Sequence, residues 1–437
     1  MTKKTAPIAA AAPSPAPAAV AVSAKPVSSA GDAPTHCPYK QANLLQQALS
    51  PNKMRVGFLL GAGCPVSIRV DKAGGGTDPL IPDIANLTAI VRSKLEADPT
   101  HRAAFADISK RLKDSGKAAP NIEEILTHIR ALVDIVAGST IDGLAKDALS
   151  GLDDKICQIT TEIVGAKLPG DGTPYHHLAA WIGGIQRAHP VEIFTPNYDL
   201  LAEQALEQCR VPYFDGFVGS CDTFFDVASI EQDKLPPRWS RLWKLHGSIN
   251  WWRTSDGNVV RHSGASADGS KGRQMIYPSH LKYDQSRRLP YLAMLDRLKS
   301  FLANGQAVLI TCGYSYADQH LNEVILQGLS GNPTAVCFGM LFGERTGYAE
   351  AVSRAKRHPN LSLLAADGAV LNTIDRNWRT GSKEEHPWHG VAVNVGDMSP
   401  RTKAPADQCK FLLGDFKAMG LFLAQHLAVS EDSADRA

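Results

Sequence analysis

The stretch Arg55-Val56-Gly57-Phe58-Leu59-Leu60-Gly61-Ala62-Gly63-Cys64-Pro65-Val66-Ser67 constrains this chain more than any other. It reads as a short apolar strand that runs straight into a Gly-Ala-Gly turn. Without a Cβ at 61 and 63, backbone N–H groups there can approach a phosphate closely. A dinucleotide fingerprint would place a third glycine at position 66, where this chain has valine. A tight strand-exit turn that binds nothing fits the same residues. What decides between the two lies downstream.

After Pro174 a pattern of short apolar runs separated by helical segments sets in. Val191-Glu192-Ile193-Phe194-Thr195 is a strand, followed by Pro196-Asn197-Tyr198-Asp199 and a helix through Leu200, Leu201, Ala205 and Leu206. Leu242-Trp243-Lys244-Leu245 is another strand and ends at His246-Gly247-Ser248. Ala307 to Cys312 is a third, ending at Gly313-Tyr314-Ser315, with a helix from about Asp318. Thr334 to Met340 and Leu361 to Leu364 add two more, with a helix near 348–357 between them. The expected fold is α/β: a Rossmann-like parallel sheet with helices on both faces.

Residues 84–168 interrupt that pattern with helical spacing. In Asn121-Ile122-Glu123-Glu124-Ile125-Leu126-Thr127-His128-Ile129, apolar residues at 122, 125, 126 and 129 share one face. Asn121 is an N-cap, with Glu123 and Glu124 in the favoured first turn. The block, at about 86–168, is expected to be a helical insert with a core of its own, His128 lying on its surface. The glycine-rich Ala73-Gly74-Gly75-Gly76-Thr77 either folds over a ligand or is a flexible insertion.

Residues 1–36 are rich in Ala, Pro and Ser, and are expected to form a disordered leader. Prolines at 7, 13, 15 and 17 break any apolar helix that Lys3 and Lys4 could introduce as a signal peptide. The domain bearing the strands is assigned to 37–380. A C-terminal extension, 381–437, carries one amphipathic helix from Phe411 to Leu427 and is expected to fray from Ser430 onward.

Composition narrows the class of function. Lys and Arg number 46 against 44 Asp and Glu, so direct nucleic-acid binding is not indicated. No uncharged apolar run reaches the ~18 residues of a membrane span. The 8 cysteines form no CxxC pair, as expected of reduced thiols in the cytoplasm rather than a disulfide frame or zinc ribbon. His386-Pro387-Trp388-His389 offers two imidazoles without further ligands at metal spacing, and no metal is expected. Cys64 is read as a small buried side chain, and Trp251 and Trp252 as packing residues.

In open parallel sheets, ligands sit at the carboxyl ends of the strands. Four such ends carry Gly61-Ala62-Gly63, Thr195-Pro196-Asn197-Tyr198-Asp199, His246-Gly247-Ser248 and Gly313-Tyr314-Ser315. If these strands are neighbours, an amide, a carboxylate, an imidazole and two glycine turns meet in one crevice. Each piece also has an ordinary use: Asn-Tyr-Asp after a strand makes an Asx turn, and a strand-end histidine is often structural. The conjunction is what points to chemistry.

Gly61-Ala62-Gly63 followed by Ser67, then Ile81-Pro82-Asp83, Thr195-Pro196-Asn197-Tyr198-Asp199, Leu245-His246-Gly247 and Gly313-Tyr314-Ser315 come in the order found in the sirtuin superfamily. The resemblance covers about 55–85 and 170–370. It implies an NAD-binding Rossmann-like domain in which Asn197 and His246 act at the nicotinamide ribose. It also implies a nucleotide site at Gly61, Ala62, Gly63, Ser67, Asp83, Thr195, Asp199, Gly313 and Ser315. Asp83 lies where a ribose-binding acid would sit in a simple dinucleotide fold, whereas the resemblance puts it in the nicotinamide-side loop. The family's deacylases carry a four-cysteine zinc module after the histidine. Here no cysteine occurs between Cys221 and Cys312, and Ser263 to Ser270 is rich in Gly and Ser instead. In this the chain resembles the zinc-less bacterial branch that hydrolyses NAD+ in phage defence, as do Asn121-Ile122-Glu123-Glu124-Ile125-Leu126 and Leu413-Gly414-Asp415-Phe416. That resemblance implies NAD+ as substrate, a homo-oligomer, and a HerA-type hexameric ATPase or an Argonaute-like protein as partner. Two alternatives stay open: an NAD-dependent protein deacylase or ADP-ribosyltransferase, and a non-enzymatic subunit that senses NAD or ADP-ribose and gates a partner.

Overall fold

Apolar on both faces, Arg55–Leu60 must be covered from both sides, and it sits at the middle of a nine-stranded sheet. This computed structural model describes residues 34–434 apart from 51–53, 73, 137–139, 142, 171, 255, 264–272, 277–289, 381–385 and 396–408. Nearly all of the leader, and all but Ser263 of the Gly/Ser-rich stretch, therefore lie outside the described residues.

Numbered in chain order, the strands of the central sheet are β1 (Arg55–Leu60), β2 (Glu192–Thr195), β3 (Tyr213–Phe214), β4 (Ser240–Lys244) and β5 (Ala307–Cys312). They continue with β6 (Ala335–Met340), β7 (Leu361–Leu364), β8 (Gly368–Leu371) and β9 (Ile374–Asn377). Their spatial order is β9-β8-β7-β6-β5-β1-β2-β4-β3. The strands β1 to β7 run parallel, and the β8–β9 hairpin closes one edge antiparallel. The expected strands at 191–195, 242–245, 307–312, 334–340 and 361–364 are all present, with ends shifted by two residues at most. The two-residue β3 and the edge hairpin had no legible apolar run.

Side chains alternate between two cores. Val56, Phe58 and Leu60 of β1 join Val308, Ile310 and Cys312 of β5 on one face. Leu59 joins Leu309 and Phe194 on the other. Helices Tyr291–Ala303, Gln319–Gly331 and Ala349–Ala355 cover the second face. The first is covered by Pro38–Leu49, Pro174–Gly184, the C-terminal helix Phe416–Ala434 and the inserted block.

That block contains four helices, Ile84–Glu96, Arg102–Asp114, Ile122–Ile135 and Lys146–Val164. Asn121 caps the third in a full capping box with Glu124, as its sequence required. A core of the insert's own is not what forms. Its buried Leu87, Ile125, Ile129 and Ile156 belong to the same apolar cluster as β1, because four amphipathic helices leave enough apolar surface to be shared with the sheet. His128 is half-buried rather than on the surface, and burial pushes its imidazole pKa down.

The C-terminal helix begins five residues later than expected, since Cys409–Phe411 pairs as a strand with Val393–Val395. It is helical through Ala434, and the last three residues of the expected frayed end, 435–437, lie outside the described residues. The glycine-rich segment after Asp71 forms a small hairpin, Arg69–Asp71 with Thr77–Pro79, turning through Gly74, Gly75 and Gly76 at positive φ. Among the described residues no helix is long and apolar enough to cross a membrane.

Candidate functional site

From β1 the chain passes to β2 on one side, and later returns to β5 on the other. Strand order thus reverses at β1, and the loops leaving β1, β2, β4 and β5 surround the crevice where such sheets hold ligands. In register, Leu60 lies beside Cys312, Leu59 beside Phe194, and Thr195 beside Lys244. The four loops therefore leave the sheet at one level.

The glycines first serve that packing. A Cβ on Gly61 would lie 2.4 Å from the Gly313 carbonyl oxygen, and one on Gly313 would lie 2.4 Å from the Cys64 nitrogen. The Gly61 N–H donates to Cys312 O (2.9 Å) and the Gly63 N–H to Gly313 O (2.8 Å). The amides of Gly61 and Gly63 thus already have carbonyl partners, whereas exposed Ala62 has no backbone bond from its N–H among the described residues. Cys64 is fully buried, and burial pushes its thiol pKa well up, in keeping with its reading as an inert side chain.

Asn197 is held by its amide. Its Nδ2 donates to Gly61 O at 3.1 Å. A carbonyl can only accept, so the –NH2 faces Gly61 and Oδ1 is left as an acceptor. Thr195 is buried, donates to Leu60 O (2.7 Å) and accepts from the Asn197 N–H (3.0 Å). Its hydroxyl thus positions Asn197. Asp199 is 5% exposed, and its carboxylate caps the next helix through Leu201 N at 3.0 Å. Desolvation raises its pKa, with Lys244 opposing. Lys244 is itself buried; its Nζ donates to Asp199 O and, at 3.0 Å, to Glu203 Oε1.

His246 follows β4, with the Leu245 N–H bonded to Thr195 O (2.8 Å) and the Ile249 N–H to Tyr198 O (3.1 Å). Its Nε2 lies 3.2 Å from Asp318 Oδ2, and both side chains are about one-fifth exposed. Ser315, three residues before Asp318 in the loop that follows β5, is exposed, its Oγ accepting weakly from Ala317 N at 3.4 Å.

Two further expected nucleotide contacts have protein partners. Ser67 Oγ donates to Cys64 O at the end of a four-residue helix. Asp83 caps Ile84–Glu96, accepting from Asn86 N at 2.8 Å. The loops bring together Gly61, Ala62, Gly63, Asn197 and Asp199 with Gly313, and His246 with Asp318; no bond joins Ser67 or Asp83 to them among the described residues.

Sequence reasoning missed two participants. Asp318 reads only as a helix start. Glu123 reads as a first-turn acid, yet its Oε1 accepts from Tyr198 OH at 2.6 Å, so the inserted block touches the Asn197–Asp199 turn directly. Trp251 packs against Phe217 as expected, with ring centroids 5.1 Å apart. Of the paired imidazoles, His389 Nδ1 bonds Tyr39 OH and His386 stacks on the same ring. Among the described residues no group of three or more His, Cys, Asp and Glu is arranged to hold a metal.

Residues 191–358 match a family model described as SIR2-like domain. The match spans β2 to the helix after β6, and so contains Asn197, His246, Gly313 and Asp318, but not the β1 turn. Solved structures with a likeness include one titled for the mechanism and regulation of Sir2 enzymes, at 12% identity and TM-score 0.32, covering 70% of this chain and 85% of that one. Another is a Sir2 homologue–NAD complex, at 16% identity and TM-score 0.33, covering 74% and 87%. A third is a Sir2 homologue mutant with ADP ribose, at 16% and 0.30, covering 70% and 88%. No curated protein matches.

Proposed function

We propose that this chain is an NAD+ glycohydrolase, converting NAD+ and water to nicotinamide, ADP-ribose and a proton. The observation that carries the reading is Asn197, whose Nδ2 is tied to Gly61 O so that Oδ1 is left as an acceptor, on a strand end adjacent in the sheet to the one that carries His246. It lies within a segment that matches a SIR2-like domain. The C1′–N bond breaks with its electron pair leaving on nicotinamide, and water adds to the oxocarbenium-like C1′. Asn197 Oδ1 accepts a hydrogen bond from that water or from a ribose hydroxyl. His246 takes up the proton released, a task suited to imidazole near neutral pH. The Ala62 N–H and the open Gly313–Ser315 loop receive the phosphates and ribose.

The biological setting we propose follows the sequence resemblance: a cytoplasmic anti-phage effector that depletes NAD+ when triggered. Its pocket is restrained in a homo-oligomer, or by a HerA-type ATPase or an Argonaute-like partner. The test is NAD+ consumption by purified protein with products resolved by chromatography, alone and with the product of an adjacent ATPase gene. Wild type should yield nicotinamide and ADP-ribose. Asn197→Ala and His246→Ala should each lose at least ~100-fold in turnover while retaining NAD+ binding. Transfer of ADP-ribose to protein, or deacylation of an acyl-lysine peptide, would replace hydrolysis with the transferase or deacylase reading. Bound NAD+ without turnover under any condition would leave a sensor.

A further inference from the structure

His246 and Asp318 come from opposite sides of the crevice. β4 and β5 are separated in the sheet by β2 and β1, so their axes lie about 14 Å apart at ordinary strand spacing. The loops that follow them nevertheless lean together until His246 Nε2 and Asp318 Oδ2 are 3.2 Å apart.

The acid is braced for that position. Its Oδ1 accepts from Leu321 N at 3.1 Å, capping the helix Gln319–Gly331. Its carbonyl accepts from Tyr314 OH at 3.2 Å and from Asn322 N at 3.0 Å. Tyr314 OH shares its single proton between that carbonyl and the nearer Asn322 Oδ1 (2.9 Å), and Asn322 Nδ2 donates to Tyr316 O (2.7 Å). Tyr316, at φ +59°, ties back to Thr311 of β5 through its hydroxyl at 2.9 Å. This loop cannot rotate the carboxylate away without breaking its own helix cap.

We infer that Asp318 is the positioning residue of His246: it fixes the ring's proton on Nε2 and leaves Nδ1 as the atom that accepts a proton in the reaction. At 3.2 Å the two groups are in ion-pair contact; an ionised carboxylate presents only lone pairs, so it repels a lone pair on the facing nitrogen and favours a hydrogen there. A neutral ring then has its lone pair on Nδ1. The inference rests on the hydrolase reading for its kinetic consequence, but not for its structural one.

The experiment therefore has two readouts on the full-length protein. Asp318→Asn keeps an N-cap, since Asn caps as well as Asp, and an unchanged unfolding midpoint will confirm that the fold is retained. With 15N-histidine labelling, the His246 signals are assigned by their loss in His246→Ala and its tautomer is read from long-range 1H–15N correlations. Wild type should be the Nε2–H tautomer when neutral, and Asp318→Asn should shift the ring toward a mixture with Nδ1–H. In NAD+ turnover the same variant should lose at least ~10-fold in kcat, with KM changed less than about threefold. An unchanged tautomer in Asp318→Asn and Asp318→Ala overturns the inference. So does a rise in turnover, which would make the pair a clasp over the crevice instead. If wild type hydrolyses no NAD+, the hydrolase reading fails alone and the tautomer still decides this one.

Discussion

Gly61, Gly63 and Gly313 tolerate no side chain, because two strand-exit turns abut backbone to backbone at this point. The 2.4 Å approaches that a Cβ would make at Gly61 and Gly313 involve main-chain atoms, which cannot rotate aside. Gly313 also holds φ +60°. Gly61→Ala and Gly313→Ala should each destabilise by about 1–3 kcal/mol or more, read as a lower denaturant midpoint at unchanged slope. Activity should fall with them, since Gly61 O anchors the Asn197 side chain. The Asn197 and Asp199 types were legible in sequence as strand-end polar residues. That Thr195 serves Asn197 rather than a ligand was not, because a hydroxyl's partner depends on which strand lies alongside.

The C-terminal helix illustrates coupling between elements. His426 is buried, its Nδ1 accepting from Trp181 Nε1 at 3.0 Å. Burial, then nearby Arg187, push its pKa below the usual value. A pKa lower in the folded than the unfolded chain means that unfolding takes up a proton. The contribution is therefore complete above about pH 6.5 and lost progressively as pH falls below it. The unfolding midpoint should drop on acidification through that range, and His426→Gln, which keeps an acceptor without titrating, should flatten part of the slope. The pairing of Trp181 with His426 spans 245 positions, and no local pattern announces it. Helix caps behave oppositely. Asn121, Asp83 and Asp318 sit where N-cap chemistry puts them, since a cap needs only the next turn.

At the scale of the whole molecule, residues from Thr35 onward form one unit, and the tail belongs to its core. Leu413, Phe416, Met419, Phe422 and Leu423 are each no more than 2% exposed. At about 1.5–3 kcal/mol for each buried side chain, their loss is comparable to the ~5–15 kcal/mol stability of a typical domain. A chain ending before Cys409 should accordingly give no cooperative unfolding transition by circular dichroism. The sequence by itself determined the parallel α/β class, the strands of the sheet centre, the helical nature of the insert and the residue types at four strand ends. Each depends on apolar periodicity or on a local turn, and such signals lie within a few residues of one another. Only the tertiary structure decided that the glycine turns pack on each other, that the insert reaches Tyr198 through Glu123, and that Asp318 meets His246 across two intervening strands. These are contacts between segments far apart in the chain, and they exist only once strand order and register bring those segments together.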